Sequence, residues 1–246
     1  MKISVITAVH NRVATIGEAL DSVRAQTWPE VQHVVIDGAS TDGTRELLEA
    51  RRHEVAVLVS EPDKGIYDAL NKGIALTTGD VIGLMHSDDL YADEHVLADV
   101  AAAFADPQID AVYGDLDYVA QGDTNRVIRR WRSGEYSRAL LSRGWMPPHP
   151  TLHLRRQVIE QWGGFDASFR IAADYDAILR YFGRGRIRPS YVPRVLVKMR
   201  VGGESNRSFA RILLKSREDY EALRRNQVGG LTTLAWKNFS KITQFL

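Results

Sequence analysis

Asp80-Val81-Ile82-Gly83-Leu84-Met85-His86-Ser87-Asp88-Asp89 is a short apolar run that ends abruptly in two adjacent carboxylates. Its length suits one buried strand. In an open α/β sheet, ligands bind beyond the carboxyl ends of the strands. Carboxylates at such an end can hold a hard divalent cation, and that cation can hold a diphosphate. Ser87 and the two acids read equally as a solvated strand-to-helix turn, since Ser and Asp are good N-caps. Taken alone, the stretch leaves both readings open.

Outward from it, strand and helix signals alternate with short connections. Apolar, β-rich runs at residues 3–9, 33–37, 55–60, 81–85 and 111–117 predict strands. Between them, a capping-box pattern at Thr15-x-x-Glu18 leads into Ala19, Leu20 and Val23 at helical spacing. Further helices are predicted over 43–50, 66–76 and 94–104. Such alternation implies a doubly wound, mostly parallel sheet flanked by helices.

After residue 118 the alternation loosens. Strands are expected at 127–131 and 192–199, and helices at 155–161, 173–182, 209–225 and 231–246. Three prolines make Trp145-Met146-Pro147-Pro148-His149-Pro150 a rigid loop. With no repeats and no low-complexity linker, residues 1–206 read as one domain with halves 1–118 and 119–206. Residues 207–246 read as a helical C-terminal extension.

Composition narrows the chemistry. The 246 residues include no cysteine, which excludes disulfides, thiolate metal sites and a cysteine nucleophile. No apolar run is long enough to span a bilayer. The N-terminus shows a strand rather than a signal-peptide pattern, so a cytoplasmic location is expected. A formal net charge of +1 conceals a division. Residues 1–183 carry 18 basic and 27 acidic residues, while residues 184–246 carry 14 basic and 4 acidic. A basic tail on an acidic body suggests an anionic counterpart: lipid head groups, a diphosphate or the body itself. Basic and aromatic residues on amphipathic helices suit peripheral contact with the inner face of a membrane. Packing on the body or on a second subunit is the other reading. Nucleic acid is not expected, because no recognition motif accompanies the charge.

Three strand ends carry acids or small polar residues: Asp37-Gly38-Ala39-Ser40-Thr41-Asp42-Gly43, Ser60-Glu61-Pro62-Asp63-Lys64-Gly65, and His86-Ser87-Asp88-Asp89. Each alone is ordinary turn chemistry. Three in register on one sheet edge are more than that. Together with Val5-Ile6-Thr7-Ala8-Val9-His10-Asn11-Arg12 and the run Ile66 to Ile74, they resemble family 2 glycosyltransferases, most closely a bacterial polysaccharide branch of colanic-acid type. The resemblance covers about residues 2–205. It implies a GT-A fold, a nucleoside-diphosphate sugar donor with UDP as first choice, a divalent metal (Mn²⁺ or Mg²⁺), and inversion at the anomeric carbon. It also implies a saccharide acceptor, possibly lipid-linked, in surface polysaccharide synthesis.

Carried onto this sequence, the resemblance makes Asp37 the nucleoside-binding acid and Asp63 a base-contacting residue. Asn71 and Gly73 match a helix motif on the nucleotide side, with positioning of the loop as the other reading for Asn71. Asp88 matches the final acid of an Asp-x-Asp element and is the expected metal ligand. His86 stands where that element has its first acid, so it either ligates a softer ion or contacts the sugar or diphosphate. Asp89 is a second ligand, a diphosphate contact or an N-cap. Gly163 to Asp176 fits an acceptor-side motif in which Asp174 takes the position of the catalytic base, ahead of Asp176, with Asp166 as a turn residue. His149 resembles an acceptor-loop histidine, and Trp145 is a sugar platform or plain packing. Arg200, before Val201-Gly202-Gly203, is a candidate diphosphate clamp; a strand-to-helix turn capped by Ser205 or Asn206 is the alternative. Two other functions fit acids at a sheet edge. One is a sugar-nucleotide nucleotidyltransferase, against which stands the absence of glycine from Thr7 to Arg12. The other is a non-catalytic sugar-nucleotide-binding subunit, which His86 keeps open. The residues do not specify an oligomeric state, and a homo-oligomer remains open.

Overall fold

The computed structural model describes residues 1–202 and 209–242. The chain opens with β1 (Ile3–Val9), α1 (Ile16–Arg24), β2 (Val31–Asp37), α2 (Thr44–Ala50), β3 (Val57–Ser60), α3 (Ile66–Leu76) and β4 (Val81–Leu84). It continues with β5 (Leu90–Tyr91), α4 (Val96–Ala103), β6 (Ala111–Ala120), β7 (Asp123–Trp131), α5 (Arg138–Leu141), β8 (His153–Arg155) and α6 (Arg156–Trp162). The last elements are α7 (Ala173–Ile178), which runs on in a wider turn to Arg184, then β9 (Pro189–Arg200), α8 (Phe209–Arg225) and α9 (Leu231–Ile242).

Among the described residues, nine strands form one sheet in the order β3-β2-β1-β4-β8-β6-β9-β5, with β7 paired to β6. The first four positions are wholly parallel, as alternating βα units require. The other half is mixed. β8 inserts antiparallel between β4 and β6, β9 runs parallel to β6, and β5 and β7 pair antiparallel. The three-residue β8 and two-residue β5 carry too few apolar residues to announce themselves, and neither they nor α5 was expected from the sequence. The register Val9↔Asp37 and Asp37↔Ser60 brings the first three strand ends to one edge.

Strand alternation feeds both faces of the sheet. Ile6, Ala8, Ile82 and Leu84 pack under α3, α6 and α7. Ile3, Val5 and Val81 pack on the other face under α1 and α4. The tail is part of the first layer: Ala222 and Leu223 of α8 are fully buried in it. The inner face of α8 therefore packs on the body, while Leu213, Leu231 and Trp236 remain exposed. Trp145 is packing, not a platform. Its indole N–H donates to the Ser133 carbonyl at 2.9 Å and its ring meets Tyr113 edge-on. The capping box does not form. No side chain caps α1, and Glu18 instead reaches Arg200 at 2.6 Å.

Buried and half-buried imidazoles link folding to protons. Burial lowers His33 and His153 to about 4 from 6.5. Burial also lowers His149 to about 4, against the pull of the Asp174 carboxylate. The unfolded chain therefore binds protons near 6.5 that the folded chain refuses until about 4. Stability falls as pH falls through that window and is flat above it, with a limiting slope of about 1.4 kcal/mol per pH unit for each imidazole. Asp89, pushed well above the usual carboxylate range by burial, acts in the opposite sense as a single group. Urea midpoints at pH 7.5, 6 and 5 check this; midpoints that stay constant over the series contradict it.

Candidate active site

At the ends of β1, β2 and β3 the loops are held by their own polar side chains. Asp37 is fully buried. Its carboxylate accepts from the Ser40 hydroxyl at 2.5 Å, the Ser40 N–H at 3.2 Å and the Ser60 hydroxyl at 2.6 Å. It shapes the loop, with both carboxylate oxygens taken up by Ser40 and Ser60. The polar rim at this edge is built instead by Asp63, His10 and the backbone of Gly38. The Asp63 carboxylate lies where a side chain on Gly38 would stand, so a larger residue there would have to displace it. An imidazole nitrogen of His10 pairs with the Gly38 carbonyl at 3.0 Å. Asn11, at φ 52°, accepts the Thr41 N–H at 2.9 Å and ties the β1 end to the β2 loop.

Two further residues on the nucleotide side are engaged within the protein. The Asn71 amide donates to the Phe165 carbonyl at 2.8 Å and accepts the Phe165 N–H at 2.9 Å. Both of its hydrogen-bonding ends are used to latch α3 to the loop after α6. Gly73 is buried where α3 crosses the sheet, and a Cβ there would run into Ile6. It is a close-packing glycine.

Beyond β4 the chain turns through His86 to Asp89. The Asp88 carboxylate is half-buried and has no hydrogen-bond partner among the described residues. Asp89 is 1% exposed and accepts the Arg200 N–H at 3.2 Å. Its carboxyl is raised by burial and then by the charge of Asp88. Facing inward, it is neither a diphosphate contact nor a helix cap, since β5 follows it directly. Arg200 is likewise a brace, not a clamp. Its guanidinium donates to the Asp88 carbonyl at 2.8 Å, the Gln121 carbonyl at 3.2 Å and Glu18 at 2.6 Å, and it is 6% exposed. It fastens the Asp88 turn to α1 and β6. Residues 203–206, including Ser205 and Asn206, lie outside the described residues.

Facing Asp88 across the sheet edge is a second cluster of polar and aromatic side chains. The His86 and His149 rings are 6.0 Å apart, and His149 meets Phe165 edge-on at 5.6 Å. Burial lowers both imidazoles. The Asp174 carboxylate pulls both the other way, as Asp88 does for His86. Asp174 opens α7 and accepts the Tyr175 N–H at 2.8 Å. Tyr67 donates to the Ile171 carbonyl at 2.6 Å and reaches Asp174 at 3.4 Å, with its ring stacked on Phe165. Behind them lies a largely apolar cavity of about 30 Å³ whose walls include Ile82, Leu84, Ile178 and Tyr181. The fold thus gathers His86, Asp88, His149 and Asp174 from three separate segments. Tyr67 and His10 belong to this edge and were not singled out, although both lie inside the runs that carried the resemblance.

No three His, Asp or Glu side chains converge as a preformed metal cage among the described residues. The donors present still fit a divalent cation bound mainly through phosphate oxygens and water. Such an ion needs only one or two protein ligands, and Asp88, unpartnered on its turn beside His86, supplies them.

A sheet of this order, with acids and histidines at the ends of its parallel strands, has the GT-A fold. Staphylococcus aureus TarS solved with UDP-GlcNAc superposes with a TM-score of 0.72 at 19% identity, covering 93% of this chain and 66% of that one. The mannosyltransferase PcManGT from Pyrobaculum calidifontis, solved with GDP-Man and Mn²⁺, gives 0.68 at 21%, covering 97% and 69%. Against a longer TarS chain, the present one spans only 39% of the length. Residues 4–170 match the profile described as Glycosyl transferase family 2. A "PGL/p-HBAD biosynthesis glycosyltransferase" of Mycobacterium bovis is 30% identical over 218 residues, covering 86% of this chain and 82% of the relative. An uncharacterised glycosyltransferase of Mycobacterium tuberculosis is 32% identical over 187 residues, covering 72% and 68%. The chain belongs to glycosyl transferase family 2.

Proposed function

We propose that this transferase moves a sugar from a nucleoside-diphosphate sugar, UDP-linked in the first instance, to a saccharide acceptor carried on a lipid, with inversion. The observation that carries the reading is the convergence of Asp174 with His86, Asp88 and His149 beside the strand ends. Asp63, His10 and the Gly38 backbone line the nucleotide end. Mn²⁺ or Mg²⁺ held by Asp88 and His86 would neutralise the departing diphosphate. Asp174 takes the proton of the acceptor hydroxyl as its oxygen bonds to the anomeric carbon. The bond from that carbon to the phosphate oxygen breaks on the opposite face, and its electron pair leaves with the diphosphate. His149, neutral and lodged beside Phe165, can hydrogen-bond the acceptor or a phosphate oxygen without adding charge.

The name of the mycobacterial relative, which carries a biosynthetic role, and the exposed Leu231 and Trp236 on a basic tail support an acceptor presented at a membrane surface. No helix among the described residues is long and apolar enough to cross a membrane, so the proposed contact is peripheral. Family membership and the glycine-free turn after β1 both weigh against a nucleotidyltransferase. A non-catalytic sugar-nucleotide-binding subunit would bind the nucleotide without transfer.

A thermal-shift series with UDP, GDP and dTDP, each with and without Mn²⁺, tests the donor end. At a hundredfold excess over Kd a ligand stabilises the fold by about 2.7 kcal/mol. UDP with Mn²⁺ is expected to raise Tm most, and a UDP-sugar to be consumed when a lipid-linked saccharide is added. Absence of any nucleotide-dependent shift contradicts the reading. A shift without transfer to any lipid-linked saccharide favours the binding subunit.

A further inference from the structure

We infer that Glu218, on the C-terminal helix α8, is a positioning residue for Asp174. The inference rests on the reading of Asp174 as the base. The first N–H groups of a helix need acceptors, and a side-chain oxygen on the preceding residue normally supplies one. α7 has none of its own. Its N-cap residue is Ala172, and no side chain caps it locally. A carboxylate from 46 residues further along the chain instead holds the segment that leads into the helix. Glu218 accepts the N–H of Arg170 at 3.0 Å, of Ile171 at 2.8 Å and of Ala172 at 3.0 Å, and is 7% exposed.

The same short segment is gripped from its other side. The Ile171 carbonyl accepts from Tyr67, the hydroxyl that also reaches Asp174. The two residues after Ala172 are Ala173 and Asp174, so a shift of the segment moves the carboxylate directly. α8 is itself anchored around α7. Asn226 donates to Asp176 at 2.7 Å. Asp219 pairs with Lys215 at 3.0 Å and with Lys237 of α9 at 2.9 Å, and the Lys237 ammonium lies 3.1 Å from the centre of the Tyr175 ring. Contacts from the tail thus bracket Asp174 at residues 170–172, 175 and 176. Glu218 contacts backbone only and acts through Asp174.

Glu218→Gln keeps the shape but loses the charge and one accepting oxygen. Misplacing a reacting group by about 1 Å can cost a hundredfold. We expect kcat to fall about tenfold to a hundredfold, with donor KM within about twofold of wild type and the UDP-dependent rise in Tm retained. Because the residue acts through the base, the same change made in Asp174→Asn is expected to cost less than about twofold of the residual turnover. Transfer of radiolabelled sugar reads all four corners of this cycle. Should Glu218→Gln fail to fold, Glu218→Asp, which keeps the charge on a shorter stem, replaces it in the same cycle. Wild-type kcat, an equal loss in both backgrounds, or a loss confined to KM overturns the inference. Full turnover by Asp174→Asn overturns the base reading itself, and does so independently of either Glu218 variant.

Discussion

Asp174→Asn is expected to lower kcat about a thousandfold, because general-base catalysis contributes roughly 10²–10⁴. The substitution is nearly isosteric. The amide oxygen can still accept from the Tyr175 N–H and from Tyr67, so the first turn of α7 keeps the bonds it has at 2.8 and 3.4 Å. What is lost is the ability to hold the acceptor's proton. The nucleotide end lies on the parallel strands, on residues that Asp174 does not touch, so the UDP-dependent rise in Tm and the donor KM are expected to persist. Single-turnover transfer measured beside the thermal shift separates the two. A variant that transfers at wild-type rate, or one that also loses UDP binding, contradicts the assignment.

Asp88→Asn is expected to fail at the other end of the same cleft. Charge stabilisation of a leaving diphosphate is worth several kcal/mol, or about 10²–10³ in turnover. Removing the one unpartnered carboxylate on the β4 turn should remove both that and the difference between UDP with and without Mn²⁺ in the melting experiment. Asp89→Asn is the control. Asp89 is buried, its carboxyl is raised by that burial, and its only described hydrogen bond is from the Arg200 N–H. An amide oxygen can accept that bond equally well, so the Mn²⁺ difference should survive. If the two substitutions behave alike, Asp88 is not the metal-facing acid.

The comparison of these neighbours shows how far residue type carries. Asp88 and Asp89 are adjacent and chemically identical, and both belong to a recognisable motif. Only the turn decides that one faces the cleft while the other points into the protein under Arg200. The same holds for Asp37, whose strand end was legible and whose direction was not. Its oxygens meet Ser40 of its own loop and Ser60, which the pairing of β2 with β3 sets opposite it. Arg200 looked like a phosphate clamp because it precedes glycines at the end of a strand. In the fold, the carbonyls of Asp88 and Gln121 and the carboxylate of Glu18 already surround it. Glu18 in turn looked like half of a capping box. Its partner lies 182 positions away and has no local signal.

Glu218 is the extreme case. In the sequence it is one acid on a charged amphipathic helix; in the structure it holds the segment that leads into a different helix. Asn71 had a clearer signal, a motif position with loop positioning as one reading, and its amide latches the loop of Phe165.

By itself the sequence determined where most strands and helices lie, which strand ends carry acids, and the family to which the set belongs. Those properties follow from side-chain periodicity, from breakers and from motifs read over a few residues. Only the tertiary structure decided which of the acids are spent on hydrogen bonds within the protein and which are left to act. That depends on burial and on partners brought in from distant elements, as when α8 supplies the acceptor for the segment that leads into α7.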